Sequence, residues 1–152
     1  MPEHHPLTES RGSAPASART FYPGFVTARF YETWDFYTEK LGFRTVCEWD
    51  VYVRLQHTCG AELVILKEET DGQLSELISA CDGRGFWLNM EVPDAEAEYH
   101  RLDAADVDIA YPLEEKPWGD RQFVVRDPNG ILVFVTQRAT SAIEAPAVLA
   151  LG

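Results

Sequence analysis

One stretch of the sequence, residues 86–92, carries a mixture of side chains that is typical of a ligand-binding surface. In an extended strand alternate residues point to opposite faces, so Trp87, Asn89 and Glu91 share one face. The intervening residues are all apolar, and we expect them to pack under a helix. A large aromatic ring beside an amide and a carboxylate could hold a small molecule by stacking and hydrogen bonding. The same pattern also fits a sheet face that is only wetted by solvent.

Histidine and arginine give weaker indications of chemistry. His57 falls on the apolar side of a predicted strand and has no partner nearby in the sequence, which favours a structural role over that of a general base. Arg121 could bind a carboxylate of a ligand, or it could pair with Asp120 or Glu114. We favour the structural pairing.

Charge and composition exclude several classes of function. The chain has 152 residues and a net charge of −12, which fit a single globular domain and make nucleic acid a poor partner. The charge either serves solubility or raises the local concentration of a cationic ligand. The chain has no apolar run as long as a membrane helix, and its first twenty residues have no apolar core of a secretory signal. We therefore expect a cytoplasmic protein without a membrane partner. Cys47, Cys59 and Cys81 are odd in number and lack metal-binding spacing, which indicates three reduced thiols.

The order of the predicted elements indicates an α+β fold that repeats once. Each half is expected to form a strand, a helix and three further strands. The strands are predicted at 21–27, 44–49, 51–57, 61–67, 86–92, 108–111, 121–126 and 131–137; the helices at 32–40 and, after the capping residue Asp94, up to 104, with a short helical pattern near 74–80. Aligning Arg29 with Asp94 and Gly60 with Gly130 superposes the halves. We predict one domain at 21–137, with modules at 21–67 and 86–137 joined by a linker at 68–85, between a disordered tail at 1–20 and a second tail at 138–152.

Three motifs connect this repeat with a known family. Residues 35–43 (DFYTEKLGF) predict a helix with a glycine stop, residues 118–121 (WGDR) precede a strand, and residues 127–130 (DPNG) predict a tight turn. Their order and spacing resemble the vicinal oxygen chelate superfamily, which includes glyoxalase I, extradiol dioxygenases, fosfomycin-inactivating enzymes and bleomycin resistance proteins. The resemblance covers residues 21–137.

The resemblance implies the glyoxalase/bleomycin resistance fold, in which two tandem βαβββ modules curl into a U-shaped, half-open barrel, usually in a homodimer. In the family's enzymes, His, Glu or Gln side chains hold a divalent metal inside the curve. The corresponding positions here are Tyr22, Trp87, Phe134 and Val64. Three of these side chains have no lone pair for a metal, and a neutral tyrosine hydroxyl is a poor ligand for such ions. We therefore expect no bound metal, no cofactor and no catalytic residue of the family's type.

The rings at these positions are expected to line the cleft instead. The predicted ligand-binding residues are Tyr22, Trp49, Tyr52, Trp87, Asn89, Glu91, Trp118, Arg121 and Phe134. Stacking and cation–π contacts on such a surface suit a planar or cationic molecule. We expect a metal-free, homodimeric binding protein of the bleomycin resistance type, which sequesters a small molecule as antibiotic resistance proteins do.

Two alternatives remain open at this point. One is a divergent lyase or dioxygenase with unidentified metal ligands, for example Glu91 with Glu62 and a histidine of a neighbouring chain. The other is a scaffold whose aromatic residues simply fill the barrel as a core.

Overall fold

The computed structural model describes residues 17–69 and 77–139, which form two copies of one βαβββ arrangement. The first module consists of β1 (Gly24–Thr27), α1 (Phe30–Asp35) with a π-helical continuation (Phe36–Lys40), β2 (Arg44–Trp49), β3 (Tyr52–Gln56) and β4 (Glu62–Lys67). The second module consists of β5 (Trp87–Glu91), α2 (Ala95–Ala104), β6 (Asp108–Glu115), β7 (Arg121–Arg126) and β8 (Leu132–Gln137). The α+β class and the tandem modules that the sequence predicted are confirmed.

Each module forms a four-stranded mixed sheet. The strand orders are β1-β4-β3-β2 and β5-β8-β7-β6. In both sheets the first and last strands of the module pair in parallel, and the other neighbours pair antiparallel. Neither sheet closes into a barrel, so each keeps two edge strands.

Apolar side chains on one face of each sheet share a core with the helices. The buried strand residues of this core are Phe25, Val53, Leu55, Leu63, Ile65, Phe123, Val125, Val133 and Val135. Tyr37 covers them from the π-helical turn and Leu102 from α2. Leu88, Met90 and Val92 pack against the same core, as the alternation along 86–92 predicted, whereas Phe86 precedes β5 and is exposed. Because alternate residues point away from the core, each sheet has a second face, which we call its distal face.

The observed boundaries differ from the predicted ones in a few places. Strands β2 and β7 match, and Asp94 caps α2 by accepting a hydrogen bond from the Ala97 N–H at 3.0 Å. Strand β6 continues to Glu115, because two register shifts let it stay paired with β7. The chain is not helical at 78–80, where a short helix was predicted; the rest of that stretch up to 76 lies outside the described residues, as do most of both predicted tails. No helix in the described ranges is long and apolar enough to span a membrane.

The turns that follow β3 and β7 repeat the same backbone bonding. We call them the 57–60 turn and the 127–130 turn. In each, the first residue donates to the carbonyl four residues later, and the glycine donates to the carbonyl of the first residue. The distances are 2.8 and 2.8 Å in the 57–60 turn, and 2.9 and 3.0 Å in the 127–130 turn. Gly60 (φ +99°) and Gly130 (φ +85°) both adopt the left-handed conformation that favours glycine.

Side chains of the 127–130 turn join the two modules. The Tyr37 hydroxyl donates to Asp127 Oδ2 at 2.9 Å. Asn129 Nδ2 donates to Thr33 Oγ1 at 3.0 Å, and Asn129 Oδ1 accepts a hydrogen bond from the Thr27 hydroxyl. Burial, and then the charge of Asp127, raise the pKa of Tyr37, so this hydroxyl keeps its proton and remains a donor.

Candidate functional site

The distal face of the second sheet carries four of the predicted site residues. The β5–β8 register pairs Asn89 with Phe134 and Glu91 with Thr136, and it places Trp87 on the same face. The rings of Trp87 and Phe134 lie 6.3 Å apart between centroids, at an interplanar angle of 52°. Trp87 is 43% exposed, whereas Phe134 is 2% exposed. Trp87 therefore offers an accessible ring, and Phe134 supports it.

A buried amide lies next to this aromatic pair. Gln122 of β7 pairs with Thr136, and its Nε2 donates to Thr136 Oγ1 at 2.9 Å. The Oε1 atom of Gln122 is buried and accepts no hydrogen bond from any described residue. Gln122 was not among the predicted site residues, although strand alternation places it on the same face as Phe134.

The distal face of the first sheet combines a tyrosine with an arginine. Arg54 Nη1 donates to the Tyr22 hydroxyl at 3.4 Å, and the guanidinium lies 6.0 Å from the centroid of that ring. The hydrogen bond to Tyr22 raises the pKa of Arg54, so the guanidinium remains charged. Arg54 was not among the predicted site residues, although strand alternation places it on the same face as Tyr52.

The other predicted aromatic residues are spread over the two modules. Trp49 pairs with Tyr52 where β2 meets β3, and it is 73% exposed. Trp118 lies in the turn between β6 and β7, and its indole N–H is buried without an acceptor among the described residues. Within the described chain, no ring pair joins these residues or Tyr22 to Trp87. The ring contacts thus form a two-ring patch, and a continuous aromatic wall stays a prediction.

Arg121 forms a structural pairing, as the sequence favoured, but with other carboxylates than those predicted. It pairs with Gln137 in the β7–β8 register, which places it on the face opposite Phe134. Its Nη1 lies 3.1 Å from Glu96 of α2, and its Nε lies 3.4 Å from Glu115. The predicted pairing with Asp120 or Glu114 was wrong, because the helix packed on that face brings a closer carboxylate. A role of Arg121 on the distal face is not supported.

The side chains at the family's metal positions do not fit a metal. These positions hold Tyr22, Trp87, Val64 and Phe134, and they bring a single weak oxygen donor. Within residues 17–69 and 77–139, no three His, Cys, Asp or Glu side chains lie together so that they could hold a metal ion. The donor set of the described chain therefore disagrees with metal-dependent chemistry at these positions.

The carboxylates nearest these positions are paired with arginines. Glu62 Oε1 lies 3.8 Å from Arg54 Nε, and Glu91 Oε2 lies 3.4 Å from Arg138 Nε. Glu62 belongs to the first sheet and Glu91 to the second. The two carboxylates therefore do not lie on neighbouring strands of one sheet.

A groove of about 650 Å³ opens between the modules, beside the 57–60 turn. Asn89 and Glu91 line it, and its other walls come from the end of the first-module helix, the 57–60 turn and the start of α2. Within the turn, His57 Nδ1 accepts a hydrogen bond from the Cys59 N–H at 3.2 Å, and its ring contacts that of Phe43. His57 therefore has the structural role that the sequence favoured. The groove could not be predicted from the sequence, because it depends on how the two modules pack.

The three cysteines are free, as predicted. Cys59 is exposed in the 57–60 turn, whereas Cys81 is half-buried and its N–H donates to the Val26 carbonyl. Burial raises the pKa of the Cys81 thiol.

Comparison with known sequences identifies the family. The sequence model of the Glyoxalase/Bleomycin resistance protein/Dioxygenase superfamily matches residues 24–135, which include β1 to β7 and most of β8. The chain belongs to this superfamily. A search of curated proteins finds no match.

Several solved structures are similar to this chain in fold. A glyoxalase/bleomycin resistance protein/dioxygenase from Nocardioides is similar with a TM-score of 0.69 and 19% identity, over 92% of this chain and 97% of its own. TioX from Micromonospora sp. ML1 is similar with a TM-score of 0.62 and 24% identity, over 79% of this chain and 99% of its own. A lactoylglutathione lyase from Agrobacterium tumefaciens is similar with a TM-score of 0.64 and 15% identity, over 84% of this chain and 100% of its own. At these identities the likeness concerns the fold alone.

Proposed function

We propose that this member of the glyoxalase superfamily is a metal-free protein that binds a planar or cationic small molecule and does not transform it. The ligand lies against Trp87 on the distal face of the second sheet, and the protein acts as a homodimer that sequesters an antibiotic-like compound. The other predicted residues of that face, Asn89 and Glu91, supply polar contacts.

One observation carries the proposal: aromatic and aliphatic side chains occupy the positions at which the family's enzymes hold their metal. A Lewis acid in such a site stabilises developing negative charge, and that contribution needs donor side chains that these positions lack. The same substitution brings the rings of Trp87 and Phe134 together on adjacent strands. Side chains that cannot coordinate a metal ion thus favour a ligand that stacks on an aromatic ring.

The charge of the protein supports a cationic ligand over an anionic one. The net charge of −12 raises the local concentration of cations around the molecule. Glu91 is about two-thirds exposed on the side of β5 that carries Trp87. A planar cation could therefore stack on the indole while its charge faces a carboxylate.

A titration with proflavine, a planar cation, tests the proposal. We expect saturable binding, read by the fluorescence polarisation of the dye, and weaker binding of the planar anion anthracene carboxylate. Trp87→Ala should weaken proflavine binding by about 1 to 3 kcal/mol, which is typical for the loss of an aromatic anchor. Tyr31→Ala is the matched control, because Tyr31 is an exposed ring on α1 outside the predicted ligand-binding residues, and it should leave binding unchanged.

Two further measurements separate the alternatives. Metal analysis of the purified protein should find no stoichiometric divalent ion; finding one would favour a divergent lyase or dioxygenase. Native mass spectrometry should show a dimer. If proflavine binds equally well to Trp87→Ala, the ligand does not lie on this face.

A further inference from the structure

The groove beside the 57–60 turn lies at the same place in the repeat as the contact between the 127–130 turn and the helix of the first module. The two turns have the same backbone bonding, and each lies against the helix of the other module. Even the local side-chain bond repeats, because the Cys59 N–H donates to His57 Nδ1 as the Asn129 N–H donates to Asp127 Oδ1. The two turns differ in whether side chains fill the space between the turn and the helix of the other module.

At the 127–130 turn that space is filled by hydrogen-bonded side chains. Asp127 and Asn129 reach Tyr37, Thr33 and Thr27 of the first module. At the 57–60 turn the equivalent side chains stay within their own module.

There His57 packs against Phe43, with ring centroids 5.2 Å apart. Cys59, which corresponds to Asn129, forms no hydrogen bond with α2 among the described residues. The repeat therefore leaves a cavity of about 650 Å³ where its other copy has a hydrogen-bonded contact.

The lining of the groove combines an apolar floor with carboxylates. Leu41, Phe43, Met90 and Val92 supply the apolar surface. The rim carries the carboxylates of Glu39, Glu91, Asp94 and Glu98.

The single arginine in the lining is already engaged. One terminal nitrogen of Arg101, Nη2, lies 2.7 Å from Glu98 Oε2 and donates to the Lys40 carbonyl at 2.7 Å. The first N–H groups of α2 are engaged as well, because Asp94 accepts from Ala97 and Gln137 accepts from Ala95. Among the lining carboxylates, Glu98 is paired with Arg101, Glu91 is paired with Arg138, and Asp94 caps α2. Glu39 is thus the lining carboxylate without a partner among the described residues, and the lining offers no unengaged cluster of donors for an anion.

The backbone of β5 adds an acceptor at the same place. The Val92 N–H donates to the Thr136 carbonyl, so alternate residues of this edge strand, including Glu91, direct their backbone groups away from the sheet. In the first module the residue that corresponds to Glu91 is Val26, whose carbonyl accepts the Cys81 N–H at 2.6 Å. A ligand that donates an N–H would complete the same bond in the second module.

We infer that this groove is a second binding site, which takes an organic ammonium ion with an apolar body. The ammonium group lies at the rim near Glu39 and the Glu91 carbonyl, and the apolar body lies on Phe43 and Met90. The site adjoins the Trp87 face at Asn89 and Glu91, but it does not use the Trp87 ring and does not rest on the function proposed for that face.

Three probes with one carbon skeleton test the inference: phenylethylammonium, phenylethanol and phenylacetate. Titrations of the full chain are followed by the backbone amide signals in heteronuclear NMR. We expect phenylethylammonium to shift the signals of Gly42, Cys59 and Ala97 in a saturable way. The neutral and anionic probes should bind at least about threefold more weakly, which is the range of an exposed charge pair.

Two variants with matched controls locate the site. Ala97→Trp places a large ring in the groove and should abolish these shifts, whereas Ala104→Trp, at the exposed far end of the same helix, should not. Glu39→Gln should weaken phenylethylammonium binding about twofold to fivefold, and Glu48→Gln on β2 should leave it unchanged. Trp87→Ala should also leave it unchanged, so failure here is distinguishable from failure of the proposed function.

Three outcomes would overturn the inference. They are shifts that do not saturate up to millimolar probe, equal binding of the three probes, and unchanged binding to Ala97→Trp.

Discussion

The 57–60 and 127–130 turns have the same backbone bonding but play opposite roles between the modules. The 127–130 turn carries an aspartate and an asparagine, and it is bonded to the helix of the first module. The 57–60 turn carries a histidine and a cysteine at the same positions, and it borders a groove. The glycine and one local hydrogen bond therefore specify the backbone shape of both turns. Two side chains in each turn determine whether the junction between the modules is sealed by hydrogen bonds or open as a groove.

Removing the carboxylate of the sealed turn should have the largest effect. Asp127 is 5% exposed and accepts hydrogen bonds from Asn129, Ile131 and Tyr37. Asp127→Ala leaves these buried donors without an acceptor, so we expect the free energy of unfolding to fall by about 3 to 5 kcal/mol. Urea denaturation measures this loss.

The matched substitution in the open turn is His57→Ala. It removes one local bond and one ring contact, so its expected cost is about 1 kcal/mol. Equal losses in the two variants would show that the junctions do not differ in the way described.

The second position of each turn gives a smaller contrast. Asn129→Ala removes the bonds to Thr27 and Thr33, and it should lower the free energy of unfolding by about 1 to 2 kcal/mol. Cys59→Ala, at the exposed equivalent position, should change it by less than about 0.5 kcal/mol. The same urea titrations compare the two, and a large loss for Cys59→Ala would contradict the open junction.

High pH should weaken the sealed junction selectively. The folded protein raises the pKa of Tyr37 above the ordinary value of 10.0, mainly by burial. Above that pH the unfolded chain releases the Tyr37 proton and the folded chain keeps it. Stability should therefore be fully present below about pH 10 and should fall as the pH rises, by up to about 1.4 kcal/mol per pH unit.

Tyr37→Phe isolates this contribution. The variant has no proton to release, so between about pH 9 and pH 11 its stability should fall by about 1 kcal/mol less than that of the unsubstituted protein. Parallel urea titrations at a series of pH values measure the difference. Equal pH dependence would indicate that the Tyr37 hydroxyl is solvated.

Thiol labelling should give the smallest, purely kinetic contrast. Cys59 is exposed in the open turn, whereas Cys81 is half-buried and has a raised pKa. The thiolate is the reactive form, so iodoacetamide should label Cys59 well before Cys81 at neutral pH. Mass spectrometry of peptides after short exposures measures both rates. Faster labelling of Cys81 would mean that its segment leaves the edge of β1.

Local features of the fold could be predicted from the sequence. Asp94 was recognised as a helix cap, and the DPNG turn was placed correctly, because both depend on residues a few positions apart. The strand alternation along 86–92 also gave the correct core face.

Contacts between distant elements could not be predicted in the same way. Arg121 pairs with Glu96 on a helix that crosses its strand, and Tyr37 bonds to Asp127 in the other module. The groove likewise exists only once both modules are packed. The candidate site was therefore predicted as a set of faces, and its true neighbours required the structure.

The self-contained bonding of the 57–60 turn makes it a suitable place for engineering. Cys59 and Thr58 are exposed, and the turn keeps its shape through its glycine and the His57–Cys59 bond. A library randomised at positions 58 and 59 should therefore retain folded members across most amino acids, while a library at the matching positions 128 and 129 should lose them. Natural selection has the same freedom, so new ligand preferences can arise at one end of this duplicated domain while the other end preserves its architecture.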